Sequence, residues 1–187
     1  MIRFLIAAIL SLCATCCFAE SRTSLTPEQQ SWVSKGKRSD RAGWIYLHTE
    51  GEPRPRGFQH GFLLAKEIAD GLRVTRAVWE HESAMEWQWL VGRAVPMFLP
   101  KIDPEDLAEI DGIAEGARAA GIPISRDELI TCNSILELSD YWWPAELKKI
   151  KAAPSTPVRE SCSSFIATGS WTKDGGVVLG HNTMQSY

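Results

Sequence analysis

The sequence predicts an α+β chain: a mainly helical N-terminal part, a proline-spaced linker, then the opening hairpin of a β-sheet. Three features carry this expectation. Apolar residues recur at three- and four-residue spacing from Phe58 onward, as one face of a helix requires. The stretches "DPEDLAEIDGIAEGARAAG" and "SRDE" hold the chemistry of helix starts and stops. The stretch "SSFIATGSWTKDGGVVLGH" sets two apolar runs about an Asp-Gly turn.

The order of elements begins with "MIRFLIAAILSLCATCCFAES", where Arg3 precedes an apolar run from Phe4 to Phe18 and the small Ala19 precedes Glu20. Residues 1–19 therefore read as a secretory signal peptide. The run is too short to span a bilayer, which takes about 20 residues. Neither Cys16 nor Cys17 follows a lipoprotein pattern. "WIYLH", Trp44 to His48, is aromatic and β-branched enough for a strand, and "GEPRPRG" is expected to break it. A helical run follows from Phe58, with Phe62, Ala65, Ala69 and Leu72 on one face and Pro96 as its end.

The next helix has Asp103 as N-cap, Pro104 in the first position and Gly121 as its stop, with Leu107, Ile110, Ala114 and Ala117 facing inward. Ser125 and Glu128 have capping-box spacing and open a third helix through Leu129, Cys132 and Leu136 toward Ser139. Residues 144–161, with Lys148, Lys149, Lys151, Pro154 and Pro157, read as an exposed linker. The hairpin then runs up from Ser163 to Gly169 and down from Val177 to His181, around Asp174-Gly175. The expected organisation is thus residues 1–19 as signal, 20–161 as a mainly helical segment, and 162–187 as the start of a sheet. Two strands bury neither face and are marginal alone, so further strands are expected beyond Tyr187.

Charge narrows the partners. The chain carries 20 Lys+Arg against 23 Asp+Glu, and loss of Arg3 with the leader makes it more acidic. That balance argues against a nucleic-acid partner and offers no polybasic run for a membrane surface. Export with the leader implies a secreted or periplasmic protein, or a lysosome-like lumen in a eukaryote. No stable membrane insertion is expected after leader removal.

The leader takes Cys13, Cys16 and Cys17, leaving Cys132 and Cys162. Two cysteines do not make a disulfide scaffold. They can form one bridge, and a secreted helical binding domain held by a Cys132–Cys162 disulfide is the alternative to an enzyme. Cys132 lies on the apolar face of a capped helix and suits a small core position.

Cys162 stands where chemistry is available. A thiol becomes a strong nucleophile when a base or a lowered pKa supplies thiolate. Cleavage of the chain just before Cys162 would make its own α-amine that base, with an ordinary pKa of about 7.7–8.0. The arrangement needs a nucleophile at the head of a strand, an exposed segment before it, and a small preceding residue. Here those are "CSSFIATGS", the proline-spaced linker and Ser161. A disulfide and an inert thiol remain the other readings.

The segments "GFQHGFLLAKEI", "DLAEIDGIAEGARAAGI" with Gly112, Glu115 and Gly116, and "CSSFIATGSWTKDGGVVLGHNT" resemble autoproteolytic N-terminal-nucleophile hydrolases. The types they resemble most are the acyl-CoA:6-aminopenicillanic-acid acyltransferase-like peptidases and the phospholipase B-like proteins. The resemblance covers roughly residues 57–187. It implies an αββα sandwich, cleavage between Ser161 and Cys162, and attack by Cys162 on an acyl amide or ester. It further implies that His181 and Asn182 lie beside the nucleophile and orient it or the substrate. The acyltransferase-like members carry an acidic residue two positions after the Asn. Met184 stands there, which favours the phospholipase B-like form. The oxyanion donors implied by the family would lie beyond Tyr187, so the 187-residue chain by itself is expected to be inactive. No cofactor is implied.

"HESAMEW" resembles a zinc-protease helix, but Met85 replaces the second histidine after His81, so no metal site is expected. Trp142 and Trp143 are candidates for lining an acyl pocket, although such residues more often fill the core or the helix–sheet seam.

Overall fold

A computed structural model describes residues 24–151 and 162–182 of the chain. The expected signal peptide and Ser161 lie outside the described residues. The fold is α+β, with helices and two separate two-stranded antiparallel sheets. It divides into two units, up to Ser134 and from Ile135 onward.

The first unit opens with α1 (Pro27–Lys35), started by a Thr26–Gln29 capping box with proline in the first turn. Strands β1 (Lys37–Arg41) and β2 (Trp44–His48) form a tight hairpin through Ala42 and Gly43. Both turn residues have positive φ, 51° and 81°, the conformation that matches a hairpin's twist. The sequence shows β2 but not β1, because "KRSDR" has no apolar alternation.

Helix α2 (Pro53–Leu63) begins five residues before Phe58. The stretch expected to break structure starts it instead. Pro53 and Pro55 occupy the first helical turn, where backbone N–H groups have no intrahelical acceptor to lose. The long helical run is really three helices. Leu64 separates α2 from α3 (Ala65–Ser83), and the left-handed Ala84 ends α3 at φ 57°. Glu80 then reaches forward to accept from the Trp87 N–H at 3.0 Å, starting α4 (Trp87–Phe98). Pro96 does not close this helix: it lies inside, and the chain continues to Phe98 and a 3₁₀ turn at Leu99–Lys101.

Helix α5 (Pro104–Ala119) has the expected ends, with Asp103 before Pro104 and Gly121 at φ 88°. Ala114 and Ala117 are buried as expected, while Leu107 and Ile110 are only half-buried. Helix α6 (Arg126–Asn133) carries the expected Ser125–Glu128 capping box but stops at Asn133. Glu128 also accepts from Arg76 of α3 at 2.8 Å, so one carboxylate both starts α6 and ties it to α3.

Helices α2 and α5 pack at backbone distance. Gly57 and Gly61 of α2 face Gly112 and Gly116 of α5 in a reciprocal pattern. A Cβ on Gly57 would stand 2.0 Å from the Glu109 carbonyl oxygen, and one on Gly61 equally close to that of Ile113. A Cβ on Gly112 or Gly116 would stand 2.2 Å from the Arg54 or Phe58 carbonyl oxygen. These atoms are backbone and cannot swing aside. The seam is flanked by ion pairs: Arg54 grips Glu115 through Nε and Nη2 at 3.0 and 2.8 Å, and Arg56 holds Glu109. Gln29 of α1 donates to the other Glu115 oxygen at 3.0 Å.

Beside the seam, Phe58 is fully buried, edge-on to Trp32 and stacked on Phe62. Gln59, also fully buried, accepts from the Glu50 N–H at 3.0 Å and donates to the Glu50 carbonyl at 2.8 Å. Trp79, Trp87, Leu90, Ala94, Leu129 and Ile130 are buried on α3, α4 and α6.

The second unit contains a π-helical turn (Glu137–Trp142), α7 (Trp143–Lys151), β3 (Ser163–Gly169) and β4 (Gly175–Asn182). Part of the expected linker is therefore helix: Pro144 lies in α7, which continues directly from the π-helical turn. Its remainder, 152–161, lies outside the described residues. Strand β3 has the expected bounds, and β4 contains the expected Val177–His181 but starts at Gly175, within the expected turn, and ends at Asn182.

The glycine seam yields a paired expectation. Gly57→Ala or Gly112→Ala should destabilise by about 1–3 kcal/mol or more, since overpacking here meets rigid backbone. Gly71→Ala, with nothing within 4 Å of its Cβ in an exposed part of α3, should stabilise by about 0.5–1 kcal/mol. Denaturant midpoints measure both.

Burial lowers the pKa of His60 from its ordinary 6.5, and the nearby Glu109 only partly opposes this. The unfolded chain therefore binds a proton at this site more readily than the folded one. The neutral histidine's contribution is complete above 6.5 and is lost as pH falls through the unfolded value toward the folded one. The melting midpoint of wild type should fall over that window, and His60→Gln should flatten this part of the profile.

Candidate functional site

The candidate site is the open end of the β3–β4 hairpin. Cys162 stands one residue before β3, and its thiol is free and exposed. The ladder pairs Ser163 with Asn182, Ser164 with His181, and Phe165 with Gly180. Alternation along a strand then sorts the candidates by face. Ser164, Ile166, His181 and Leu179 share one face; Ser163, Phe165, Asn182 and Gly180 share the other. Continued one residue, the alternation puts Cys162 on the face of His181.

This separates two residues expected to act together. His181 is the diagonal neighbour of Cys162, a relation that spans roughly 7–8 Å between backbones and that side chains can bridge. Asn182 faces the other way. The irregularity between Ala167 and Gly169 makes the difference. Counting outward from the Gly169–Gly175 pair without it would set Asn182 directly opposite Cys162. The bulge advances the register by one residue and brings His181 to the thiol's face instead.

The turn end is held by short-range bonds. Thr172 donates through Oγ1 toward the carbonyls of Gly169 and Gly176, at 3.1 and 2.8 Å, and Asp174 accepts from the Gly176 N–H at 3.0 Å. At the open end, the Phe165 ring covers Gly180: a Cβ there would lie 2.2 Å from the ring. A glycine opposite an aromatic ring lets the ring lie flat across the strand. An open hollow of about 470 Å³ is lined by Ser163, Ser164, Phe165, Gly180, His181 and Asn182.

Trp142 and Trp143 do not line this hollow. They end the π-helical turn and begin α7, half-buried, with ring centroids 6.3 Å apart. Ser164 and Phe165 went unnoticed in the sequence, since both acquire their place only through the register. Cys132 and Cys162 are both free cysteines. Cys132 is half-buried and lies 3.8 Å from the Thr75 hydroxyl. His81 ends on α3 while Met85 lies beyond the left-handed Ala84, so the "HESAM" spacing does not fall on one helix face. Among the described residues no three His, Cys, Asp or Glu side chains cluster as metal ligands. No helix among them is long and apolar enough to cross a membrane.

The motif residues of α5 serve the fold directly. Gly112 and Gly116 permit the close approach of α2, and Glu115 anchors Arg54 and Gln29.

No family model matches the chain, and no solved structure matches it. The chain is similar to an uncharacterized protein of Archaeoglobus fulgidus, with 26% identity over 155 residues. The match covers 76% of this chain and 25% of that protein. The chain thus spans about a quarter of the length of the relative it matches.

Thiol chemistry checks the site. A thiol reagent should titrate both Cys132 and Cys162, and modify the exposed Cys162 faster. The fast phase should vanish in Cys162→Ala. Failure of both cysteines to react after unfolding would show a bridge.

Proposed function

We propose that the chain belongs to an exported, self-processing cysteine hydrolase of the N-terminal-nucleophile type, acting on amide or ester bonds of acyl substrates. The observation that supports this most is Cys162: an exposed thiol at the head of a strand, sharing a face with His181. The resemblance of "CSSFIATGSWTKDGGVVLGHNT" to such enzymes supports it as well.

The hairpin supports the αββα arrangement through what it leaves uncovered. Phe165 and Val178 are exposed on one face, Ile166 and Leu179 on the other. In that arrangement the same strands would have helices on one side and a second sheet on the other.

In processing, the Cys162 Sγ attacks the carbonyl carbon of Ser161. The Ser161–Cys162 amide breaks as a thioester forms, and the nitrogen takes a proton to become a free α-amine. Water then hydrolyses the thioester, leaving a Ser161 carboxylate and the Cys162 thiol. In turnover, the α-amine accepts the thiol proton as Sγ attacks the substrate carbonyl. Collapse of the tetrahedral adduct expels an amine or alcohol, which carries that proton away, and water releases the acid from the acyl-enzyme. His181 orients the thiol on their shared face. Asn182, on the opposite face, has no direct role at the sulfur.

Intact mass of the exported full-length gene product, rather than of the 187-residue chain alone, tests this. Wild type should be cut between Ser161 and Cys162, and Cys162→Ala should stay whole. His181→Ala should slow the cut by roughly 100-fold or more, as expected for a lost proton-transfer or orienting group. Asn182→Ala should process at close to the wild-type rate. A wild-type chain that remains whole overturns the reading.

A further inference from the structure

We infer that the β1–β2 hairpin is a peripheral docking surface for an anionic phospholipid bilayer. This does not rest on Cys162 or on the proposed reaction.

The pairing of β1 with β2 collects residues that look unrelated in the sequence. Arg41 stands opposite Trp44, Ser39 opposite Tyr46, and Lys37 opposite His48. By strand alternation these six side chains share one face. Trp44 is 72% exposed and Tyr46 55%, and Lys37, Arg41 and His48 are exposed too. From the other face Arg38 reaches the helices: it donates to the Leu63 carbonyl at 3.1 Å and pairs with Glu67 at 2.6 Å. That bond holds the Glu67 carboxyl below its ordinary range.

The charges on it are unbalanced. Neither Lys37 nor Arg41 has an ion pair or side-chain hydrogen bond among the described residues. Lys37 and Arg41 are the two cations of this face, which carries no carboxylate of its own, within a chain of net charge −3. The patch calls for a negatively charged partner, and its rings call for one that is also partly apolar. Trp and Tyr settle at the level of lipid headgroups because each ring has an apolar body and a polar tip. Cations beside them are drawn to anionic headgroups.

Size and charge decide among anionic partners. One face of two five-residue strands is far smaller than the roughly 800 Å² per partner of an ordinary protein interface. A nucleic-acid strand is held chiefly by cations set along its phosphates, and this face supplies two. A bilayer needs only the local patch, since each ring and cation contacts lipid on its own. The small residues Ala42 and Gly43 at the tip leave the rings unobstructed.

The test is co-sedimentation of the exported chain with phosphatidylcholine vesicles, with and without phosphatidylglycerol. Every variant carries the same remaining sequence, so differences between them report the hairpin alone. Wild type should bind the anionic vesicles, and added salt should weaken binding. Lys37→Glu and Arg41→Glu should each weaken it by roughly fivefold or more, as expected for losing one cation at the surface. Trp44→Ala should weaken it while leaving the salt dependence unchanged. Lys173→Glu, on the turn of the other hairpin, should bind as wild type. Circular dichroism and melting should be unaltered, since these side chains are exposed. Equal binding to neutral vesicles, unchanged binding by the three hairpin variants, or no binding overturns the proposal. So does single-stranded DNA binding that these variants abolish while vesicles do not bind.

Discussion

Much of the first unit depends on two helices touching without side chains between them. Gly57, Gly61, Gly112 and Gly116 bring the backbones of α2 and α5 into direct van der Waals contact. Little apolar area is available at such a seam, so its strength comes from many close dispersion contacts and from the bonds at its margins. Arg54, Arg56 and Gln29 supply those bonds from one side, Glu109 and Glu115 from the other. The partly exposed pairs add modestly to stability and more to register. Once α2 is placed, Phe58 fixes α1 through Trp32, and Gln59 fixes the end of the first hairpin.

Legibility in the sequence followed the kind of interaction. Helix starts with local chemistry could be read: the capping box at Ser125 and Glu128, and the Asp103-Pro104 start, fall where expected. Thr26 and Gln29 have the same spacing, yet α1 is polar and buries no residue, so periodicity passes over it. Prolines misled in both directions. Pro53 and Pro55 open a helix, where the first N–H groups have no intrahelical acceptor, and Pro96 sits within one. Strand β1 was invisible since its residues bury nothing. The α5 glycines could be noticed as a pattern, but their meaning required α2 beside them.

At the late hairpin the strands and the place of Cys162 were legible, and the facing of its neighbours was not. Turn and strands are encoded locally, by Asp174, Gly175 and alternating apolar residues. Facing depends on register, and one irregularity between Ala167 and Gly169 reverses it. A histidine and an asparagine adjacent in sequence thereby come to serve different surfaces. The same local economy leaves the hairpin apolar on both sides, a state that further packing would relieve.

The side chain of Gln59 behaves like a piece of strand. Its amide returns both backbone bonds that a neighbouring strand would give to Glu50, yet it belongs to a helix locked in the glycine seam. A connecting segment thereby inherits the slow opening of a core element. In deuterated water the Glu50 amide proton would be retained about as long as those of α2. Exchange there would report separation of the helices rather than motion of the loop.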